Sequence, residues 1–80
     1  MARPNVKTIQ QRFGRALRQH REAAGLSQEA LAAEARLHRN CVGRLERAQM
    51  IPSLLVVERI AAALGITMTK LVSDVESLAD

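Results

Sequence analysis

The stretch that decides the fold lies in the middle of the 80-residue chain, where residues 25–32 read GLSQEALA and residues 37–46 read LHRNCVGRLE. Gly25 can adopt the left-handed conformation that ends a helix, and the hydroxyl of Ser27 can cap the helix that follows. Apolar residues recur at helical spacing within both stretches. The sequence therefore predicts two short helices joined by a tight turn.

Similar start and stop signals predict three more helices on either side of this pair. Thr8 and Gln11 have the spacing of a capping box, Ser53 and Thr67 are helix-start residues, and Gly65 can end a helix. The five predicted helices cover residues 9–24, 28–35, 39–47, 54–64 and 67–78. No strand alternation interrupts them, so the predicted fold class is all-α, a compact five-helix domain.

Each predicted helix carries an apolar face, and we expect these faces to form one core. The chain has a single Phe and no Trp or Tyr, and 80 residues allow only one small domain. The predicted inward residues of the first four helices are Ile9, Phe13, Ala16, Leu17, His20, Leu31, Ala32, Ala35, Val42, Leu45, Leu54, Val57, Ile60, Ala61 and Leu64. On helix five, an apolar stripe that is longer than one turn of core contact requires consists of Met68, Leu71, Val72, Val75 and Leu78. Arg12, Arg15 and Arg18 are expected on the solvated side of helix one.

The charge distribution favours a polyanionic partner for the first two thirds of the chain. Twelve basic and eight acidic residues give a net charge of +4 and a pI near 10.6. Ten of the basic residues and four Glu lie between the start and Pro52, whereas the remainder holds two basic and four acidic residues. A basic domain of this kind is typical of nucleic-acid binding without identifying the nucleic acid.

The third predicted helix has a polar, basic side opposite its apolar residues. With Val42 and Leu45 turned inward, helical geometry leaves the other face to Arg39, Asn40, Gly43 and Arg44. An α-helix fits the major groove of double-stranded DNA, where arginine pairs with guanine and asparagine with adenine. We therefore expect these residues to read bases, with Gly43 permitting close approach.

Four blocks of the sequence together resemble the Cro-type or XRE-like helix-turn-helix proteins, which include lambda-like phage repressors. The resemblance covers residues 13–72 and is carried by GLSQE with LA at 25–32, RLE at 44–46, PSL at 52–54, and IA with ALG at 60–65. The segment from Leu37 to Asn40, with Leu45-Glu46-Arg47, also resembles the controller proteins of restriction-modification systems, a small dimeric branch of the family. The resemblance implies a lambda-repressor-like fold that binds DNA.

The resemblance also implies particular roles for matching residues. Arg39, Asn40, Gly43 and Arg44 fall on the family's base-reading positions. Contacts to DNA phosphates are expected from Ser27, Gln28, Arg47, Gln49 and Ser53. Arg21 and Glu46 match a structural salt bridge that ties helix one to helix three, and Gln28 matches a glutamine that also braces the recognition helix.

Several positions depart from the family pattern. Arg36 replaces a glycine in the turn between helices two and three, and a left-handed non-glycine residue costs about 1 to 2 kcal/mol. The turn is therefore predicted to be strained or differently shaped. His38 replaces the usual hydroxyl cap of helix three. Ala48 and Gln49 replace a Gly-Lys pair, which shifts the expected phosphate anchoring toward Arg47.

Surplus apolar residues in the last two helices predict a homodimer. Exposed apolar patches usually mark partner sites, and the predicted interface consists of Leu55, Val56, Met68, Leu71, Val75 and Leu78. Two-fold pairing would place two recognition helices about 34 Å apart on a pseudo-palindromic site. The alternative is that helix five only caps the core.

Cys41 and His38 are the candidates for other chemistry. Cys41 is the only cysteine, so no internal disulfide forms and a reducing cytoplasm is expected. It lies three residues from His38, but two ligands do not make a metal site and no oriented acid completes a catalytic set. We expect no metal, no cofactor and no catalysis, with an enzyme or redox sensor centred on Cys41 as an alternative.

These features predict a dimeric transcription regulator, most simply a repressor, that reads its operator with helix three. The alternative is an antitoxin-type protein that holds a toxin and autoregulates its operon. The predicted organisation is a flexible basic arm at 1–8, a DNA-binding domain at 9–72 and an extension of helix five at 73–80. Neither a membrane span nor a pocket for a small-molecule effector is evident.

Overall fold

The computed structural model describes residues 5–78, and every regular element in that range is a helix. The five helices are α1 (Val6–Ala23), α2 (Gln28–Glu34), α3 (Cys41–Glu46), α4 (Leu54–Leu64) and α5 (Met68–Ser77). The all-α, five-helix prediction is confirmed. None of these helices is both long and apolar enough to cross a lipid bilayer.

The first helix begins three residues earlier than the sequence predicted. Asn5 is its cap, because Asn5 Oδ1 accepts a hydrogen bond from the Thr8 backbone N–H at 2.8 Å and another from the Thr8 hydroxyl at 3.0 Å. The predicted capping box at Thr8 is therefore wrong, since an asparagine in the right place caps as well as a threonine. Residues 6–8 of the predicted arm are helical, and residues 1–4 lie outside the described range.

One aliphatic core joins all five helices. Its largest fully buried side chains are Leu17, Leu31, Leu45, Ile60, Leu71 and Val42. Each such side chain stabilises the fold by about 1.5 to 3 kcal/mol relative to leaving it exposed. The helical periodicity predicted all of these residues in the core except Leu71, which was assigned to the dimer interface, so the sequence pattern identified the centre of the core.

The pattern was less accurate at the ends of helices. Ile9 and Leu54 were predicted inside, but they are 47% and 78% exposed. Ile9 belongs to the first turns of α1, and Leu54 is the first residue of α4. An apolar residue on the inward side of a helix is buried only where another helix covers that turn, and here these residues remain uncovered.

The turn between α2 and α3 keeps the shape of a glycine turn although it contains Arg36. Arg36 has φ of 58°, close to the 71° and 72° of Gly25 and Gly65. The Leu37 N–H donates to the Ala32 carbonyl at 2.8 Å, which closes the left-handed helix end also found after Gly25. The predicted strain is therefore confirmed, whereas the predicted alternative of a differently shaped turn is wrong. Ala48, with φ of 57°, ends α3 in the same way.

Candidate nucleic-acid interface

The buried side of α3 fixes this helix firmly against the rest of the domain. Val42 is fully buried and Leu45 is 1% exposed. The backbone of α3 also approaches α1 closely, because a Cβ built on Gly14 would lie 2.7 Å from the Leu45 carbonyl oxygen and 2.8 Å from that of Glu46. Only glycine fits at such a contact. α3 is therefore held by apolar packing on one side and by backbone contact at its C-terminal end.

The opposite side presents basic and amide side chains to solvent. Arg39, Asn40 and Arg44 are all exposed, as predicted. The helix itself begins at Cys41, however, so Arg39 and Asn40 lie in the preceding turn and not inside the predicted helix 39–47. Asn40 occupies the cap position, yet its side chain makes no capping hydrogen bond. The amide is thus free to face a ligand.

His38 accepts two local hydrogen bonds that shape the turn before α3. Its Nδ1 accepts a hydrogen bond from the Asn40 backbone N–H at 3.1 Å, and its carbonyl accepts one from the Cys41 N–H at 2.9 Å. The imidazole therefore substitutes for the usual hydroxyl as a local acceptor for the backbone. This arrangement orients the turn that carries Arg39 and Asn40.

Gly43 is covered on the outward side of α3, so the prediction that it is exposed there is wrong. It is buried, and a Cβ built on it would lie 2.9 Å from both Gln28 Oε1 and Arg47 Nη1. The missing side chain therefore makes room for two neighbouring side chains of the protein. The structure thus brings Gln28 and Arg47, both predicted phosphate contacts, together above α3.

A partly buried network connects three elements at the end of α3. Arg21 Nε donates to Glu46 Oε2 at 2.6 Å and Arg21 Nη2 donates to Glu46 Oε1 at 3.1 Å. Gln28 Nε2 donates to the same Oε1 at 3.0 Å, and Arg21 Nη1 donates to the Leu26 carbonyl at 2.9 Å. The predicted salt bridge and the predicted glutamine brace are both present in the structure.

The two ionic side chains of this network are largely shielded from solvent, and each has hydrogen-bond partners. The side chains of Arg21 and Glu46 are 12% and 5% exposed. The hydrogen bond from Arg21 to Glu46 raises the pKa of the guanidinium above its ordinary value, against the opposing effect of burial. A paired, hydrogen-bonded geometry of this kind offsets the desolvation of both ions. Gln28 is held by the same carboxylate.

The other predicted phosphate contacts lie at the starts of helices and after α3. The Ser27 hydroxyl oxygen accepts from the Ala30 N–H at 3.0 Å, and that of Ser53 accepts from the Val56 N–H at 3.2 Å. Both hydroxyls therefore serve as caps, with their own hydrogens still available as donors. Arg47 donates through Nε to the Gln49 side-chain oxygen at 3.3 Å, and both residues are exposed.

The predicted dimer interface is partly buried within the monomer, which corrects the prediction for Leu71 and Val75. Leu71 is fully buried and Val75 is 8% exposed. Val56, Met68 and Leu78 are partly buried against the core. The stripe of helix five is therefore largely core packing, as the alternative held, because α5 lies against α1 and α4. Leu55, which is 53% exposed, remains accessible.

A different set of apolar side chains is exposed. We call it the apolar face, and it consists of Val6, Ile9, Ile51, Leu54, Leu55 and Val72, with exposures between 45% and 78%. Val6, Ile9, Ile51 and Val72 also line a groove whose floor is formed by Phe13, Val57 and Val75. Of these residues only Leu55 belongs to the interface predicted from the sequence, and Ile9 and Leu54 were predicted in the core.

Cys41 is a packed thiol in this structure. Its Sγ lies 3.9 Å from Met50 Sδ, and burial raises the pKa of the thiol, with the charge of Arg44 opposing the rise. A raised pKa disfavours the thiolate that nucleophilic and redox chemistry require. Among the described residues, no three His, Cys, Asp or Glu side chains converge as a metal site would require.

One contact was missed by the sequence analysis. His20 Nε2 lies 2.6 Å from Asp74 Oδ2, which joins α1 to α5, and Lys70 Nζ donates to the other carboxylate oxygen at 3.1 Å. The hydrogen bonds from His20 and then Lys70 lower the pKa of Asp74 below its ordinary value. The sequence feature that could have predicted this contact was a histidine and an aspartate on the apolar sides of two helices.

Comparisons with known proteins agree with this geometry. A family profile described as a helix-turn-helix domain matches residues 12–71. The control protein C.MunI of Mycoplasma sp is 42% identical over 72 residues, which cover 89% of this chain and 97% of C.MunI. These matches include α2, α3 and the turn between them.

Solved structures show the same arrangement of helices. The restriction-modification controller protein C.AhdI of Aeromonas hydrophila is 44% identical, with a TM-score of 0.75, over 78% of this chain and 94% of that one. The hypothetical transcription factor NHTF of Neisseria is 31% identical, with a TM-score of 0.77, over 89% and 82% of the two chains. The chain therefore belongs to the XRE-like helix-turn-helix family of DNA-binding transcription regulators.

Proposed function

We propose that this regulator is a homodimeric repressor that reads a pseudo-palindromic operator, with α3 of each subunit in the major groove. The observation that carries the proposal is the exposure of Arg39, Asn40 and Arg44 at one edge of a helix whose other side is fully buried. Each bidentate arginine–guanine or asparagine–adenine pair would contribute about 1 to 3 kcal/mol of base discrimination. Three such contacts per half-site are enough for a specific operator.

Phosphate contacts would orient this helix on the duplex. The proposed donors are the Ser27 and Ser53 hydroxyls, Gln28, Arg47 and Gln49. Ser27 and Ser53 cap α2 and α4, where unpaired backbone N–H groups favour an anion. The amide of Gln28 is bound to Glu46 in the free protein, so a phosphate would be contacted through the backbone N–H of Gln28 or by the remaining amide hydrogen.

The apolar face is the proposed dimer interface, in place of the buried side of α5. Its most exposed members, Leu54, Ile51 and Val6, are 78%, 64% and 61% accessible. Ile51 lies between α3 and α4, and Leu54 begins α4, so pairing there would set the separation of two recognition helices. A spacing of about 34 Å between them would match one turn of DNA.

The similarity to C.MunI and C.AhdI supports a more specific role. Both are described as control proteins, and C.AhdI as a restriction-modification controller, at identities of 42% and 44%. We therefore propose that this chain controls the expression of a restriction-modification system. The expected operator would lie upstream of the regulator's own gene and of the genes it controls.

This proposal is tested by selecting bound fragments from random double-stranded DNA and measuring the mass of the complex. We expect an inverted repeat whose half-site centres are about one helical turn apart, bound by two chains. A single half-site bound by one chain would contradict the dimer. Binding upstream of the neighbouring genes can then be measured by footprinting, and protection elsewhere only would contradict the controller role.

A substitution separates the dimer interface from the DNA contacts. Leu54→Ser should shift the protein toward monomer in sedimentation experiments and weaken binding to the full operator more than to one half-site. Ala62→Ser, an exposed position in the same helix, is the matched control and should leave the mass unchanged. An unchanged dimer in Leu54→Ser would place the interface elsewhere.

A further inference from the structure

The exposed side of α1 carries a row of polar side chains that the proposed DNA contacts do not use. Lys7, Gln11 and Arg15 follow one another at intervals of four residues, and all three are exposed. Residues at this spacing lie on one side of a helix. At 1.5 Å per residue, the row is about 12 Å long. We call these three residues the α1 row.

The α1 row borders the C-terminal end of the recognition helix. It shares a shallow surface depression with Glu46, Arg47 and Ala48. Arg47 follows Arg44 by three residues and Asn40 by seven, so all three lie on the same side of α3. The outward basic side of α3 therefore continues through Arg47 onto α1.

The depression is positively charged because its one carboxylate is already paired. Glu46 accepts hydrogen bonds from Arg21 and Gln28 and is 5% exposed. Lys7, Arg15 and Arg47 therefore set the local charge. Arg18, one turn further along α1, differs in being bound to Glu22 at 3.2 Å.

We infer that the α1 row is a second contact with the phosphate backbone of the DNA, continuous with the surface of α3. Two long cationic side chains and one amide suit phosphate oxygens, and a row on a rigid helix holds them in line. The row adds affinity without reading sequence, because phosphates carry no base information. The inference extends the proposed operator binding to residues outside the helix-turn-helix itself.

The salt dependence of DNA binding tests this inference directly. A cation that neutralises one phosphate contributes about 0.9 to the slope of log affinity against log salt concentration. Arg15→Gln should lower that slope by about 0.9 between about 50 and 200 mM salt, on selected and on random duplexes alike. Extrapolated from equal binding at about 1 M salt, a slope lower by about 0.9 corresponds to roughly eightfold weaker binding at about 0.1 M salt. Lys7→Gln should add a similar loss.

Arg59→Gln is the matched control, since Arg59 is an exposed arginine of α4 that lines a depression with Glu34 and Arg36 and not with the α1 row. It removes the same charge and should leave the slope unchanged. Equal slopes for Arg15→Gln and Arg59→Gln would overturn the inference, and so would an altered base preference in Arg15→Gln. If the unmodified protein still selects one sequence from random DNA, the proposed operator binding stands even when the inference about the α1 row fails.

Discussion

Two neighbouring residues of α1 tie this helix to opposite sides of the domain in different ways. Arg21 reaches α3, where it holds Glu46 through two hydrogen bonds, the shorter 2.6 Å long, with side-chain exposures of 12% and 5%. His20 reaches α5, where it holds Asp74 at 2.6 Å with exposures of 21% and 25%. The lengths are the same, but the surroundings and the chemistry of the partners differ.

The difference shows how one helix can serve two kinds of contact. The Arg21 contact is more deeply buried, is shared with Gln28, and uses a guanidinium that stays charged at any ordinary pH. The His20 contact is partly solvated, and its carboxylate, that of Asp74, is shared with Lys70 and has a lowered pKa. α3 is therefore fixed by the more deeply buried contact, which Gln28 shares, and α5 by the more solvated one.

Breaking the buried contact should have the largest effect on stability. Glu46→Ala would leave Arg21 desolvated without its carboxylate, which costs roughly 3 to 5 kcal/mol in the free energy of unfolding. Urea denaturation at pH 7 measures this loss. The double variant Arg21→Ala with Glu46→Ala should lose less than the sum of the single variants, because no charge remains buried alone. Strict additivity would contradict a direct interaction.

Closing the gap between α1 and α3 should have the next largest effect. Gly14→Ala places a Cβ at 2.7 Å and 2.8 Å from two backbone carbonyl oxygens of α3, and the resulting shift should cost about 1 to 3 kcal/mol. Thermal unfolding monitors the change. Gly43→Ala is the comparison, because its Cβ would meet only the ends of flexible side chains. A larger loss of stability for Gly43→Ala than for Gly14→Ala would contradict this prediction, because it would place the tighter packing around Gly43 and not between α1 and α3.

Removing the partly solvated contact should have the smallest effect and a distinct pH dependence. Because the pKa of Asp74 is lowered below 3.8 in the folded protein, its carboxylate stabilises the fold above about pH 3.8, and this contribution is lost as the pH falls through the native pKa. Asp74→Asn should therefore be less stable than the unmodified protein at pH 5 to 7, with the difference shrinking below about pH 4.

Urea denaturation at a series of pH values checks this prediction. Glu76→Gln removes the same charge from the same helix, but His20 is bound to Asp74 and not to Glu76, so its loss of stability should be smaller. A difference between Asp74→Asn and the unmodified protein that stays constant from pH 6 to pH 3 would contradict the assigned role of Asp74.

The same pair of contacts shows which features of the fold can be predicted from the sequence. Helical periodicity predicted the core, and the family resemblance predicted the Arg21–Glu46 bridge, because both depend on local spacing or on matched motifs. The His20–Asp74 contact joins residues 54 positions apart. Neither spacing nor a motif connects them, so packing of α5 against α1 had to be seen first.

The predictions for Gly43 and Leu71 were wrong for a related reason. A helical wheel assigns each residue to a side, but whether that side is exposed depends on what lies against it. Gly43 is covered by Gln28 and Arg47, and Leu71 is covered by the core. Arg36 was predicted more accurately, since a left-handed turn is a local property of the backbone.

The most direct test of the account compares Arg44→Ala and Gln28→Ala on the selected operator and on random DNA. The account predicts that Arg44→Ala loses about 1 to 3 kcal/mol of binding free energy on the operator and little on random DNA, so that base preference relaxes at one position of each half-site. Gln28→Ala should weaken binding to both duplexes by a similar factor. Equal losses on operator and random DNA for Arg44→Ala would contradict the claim that α3 reads bases.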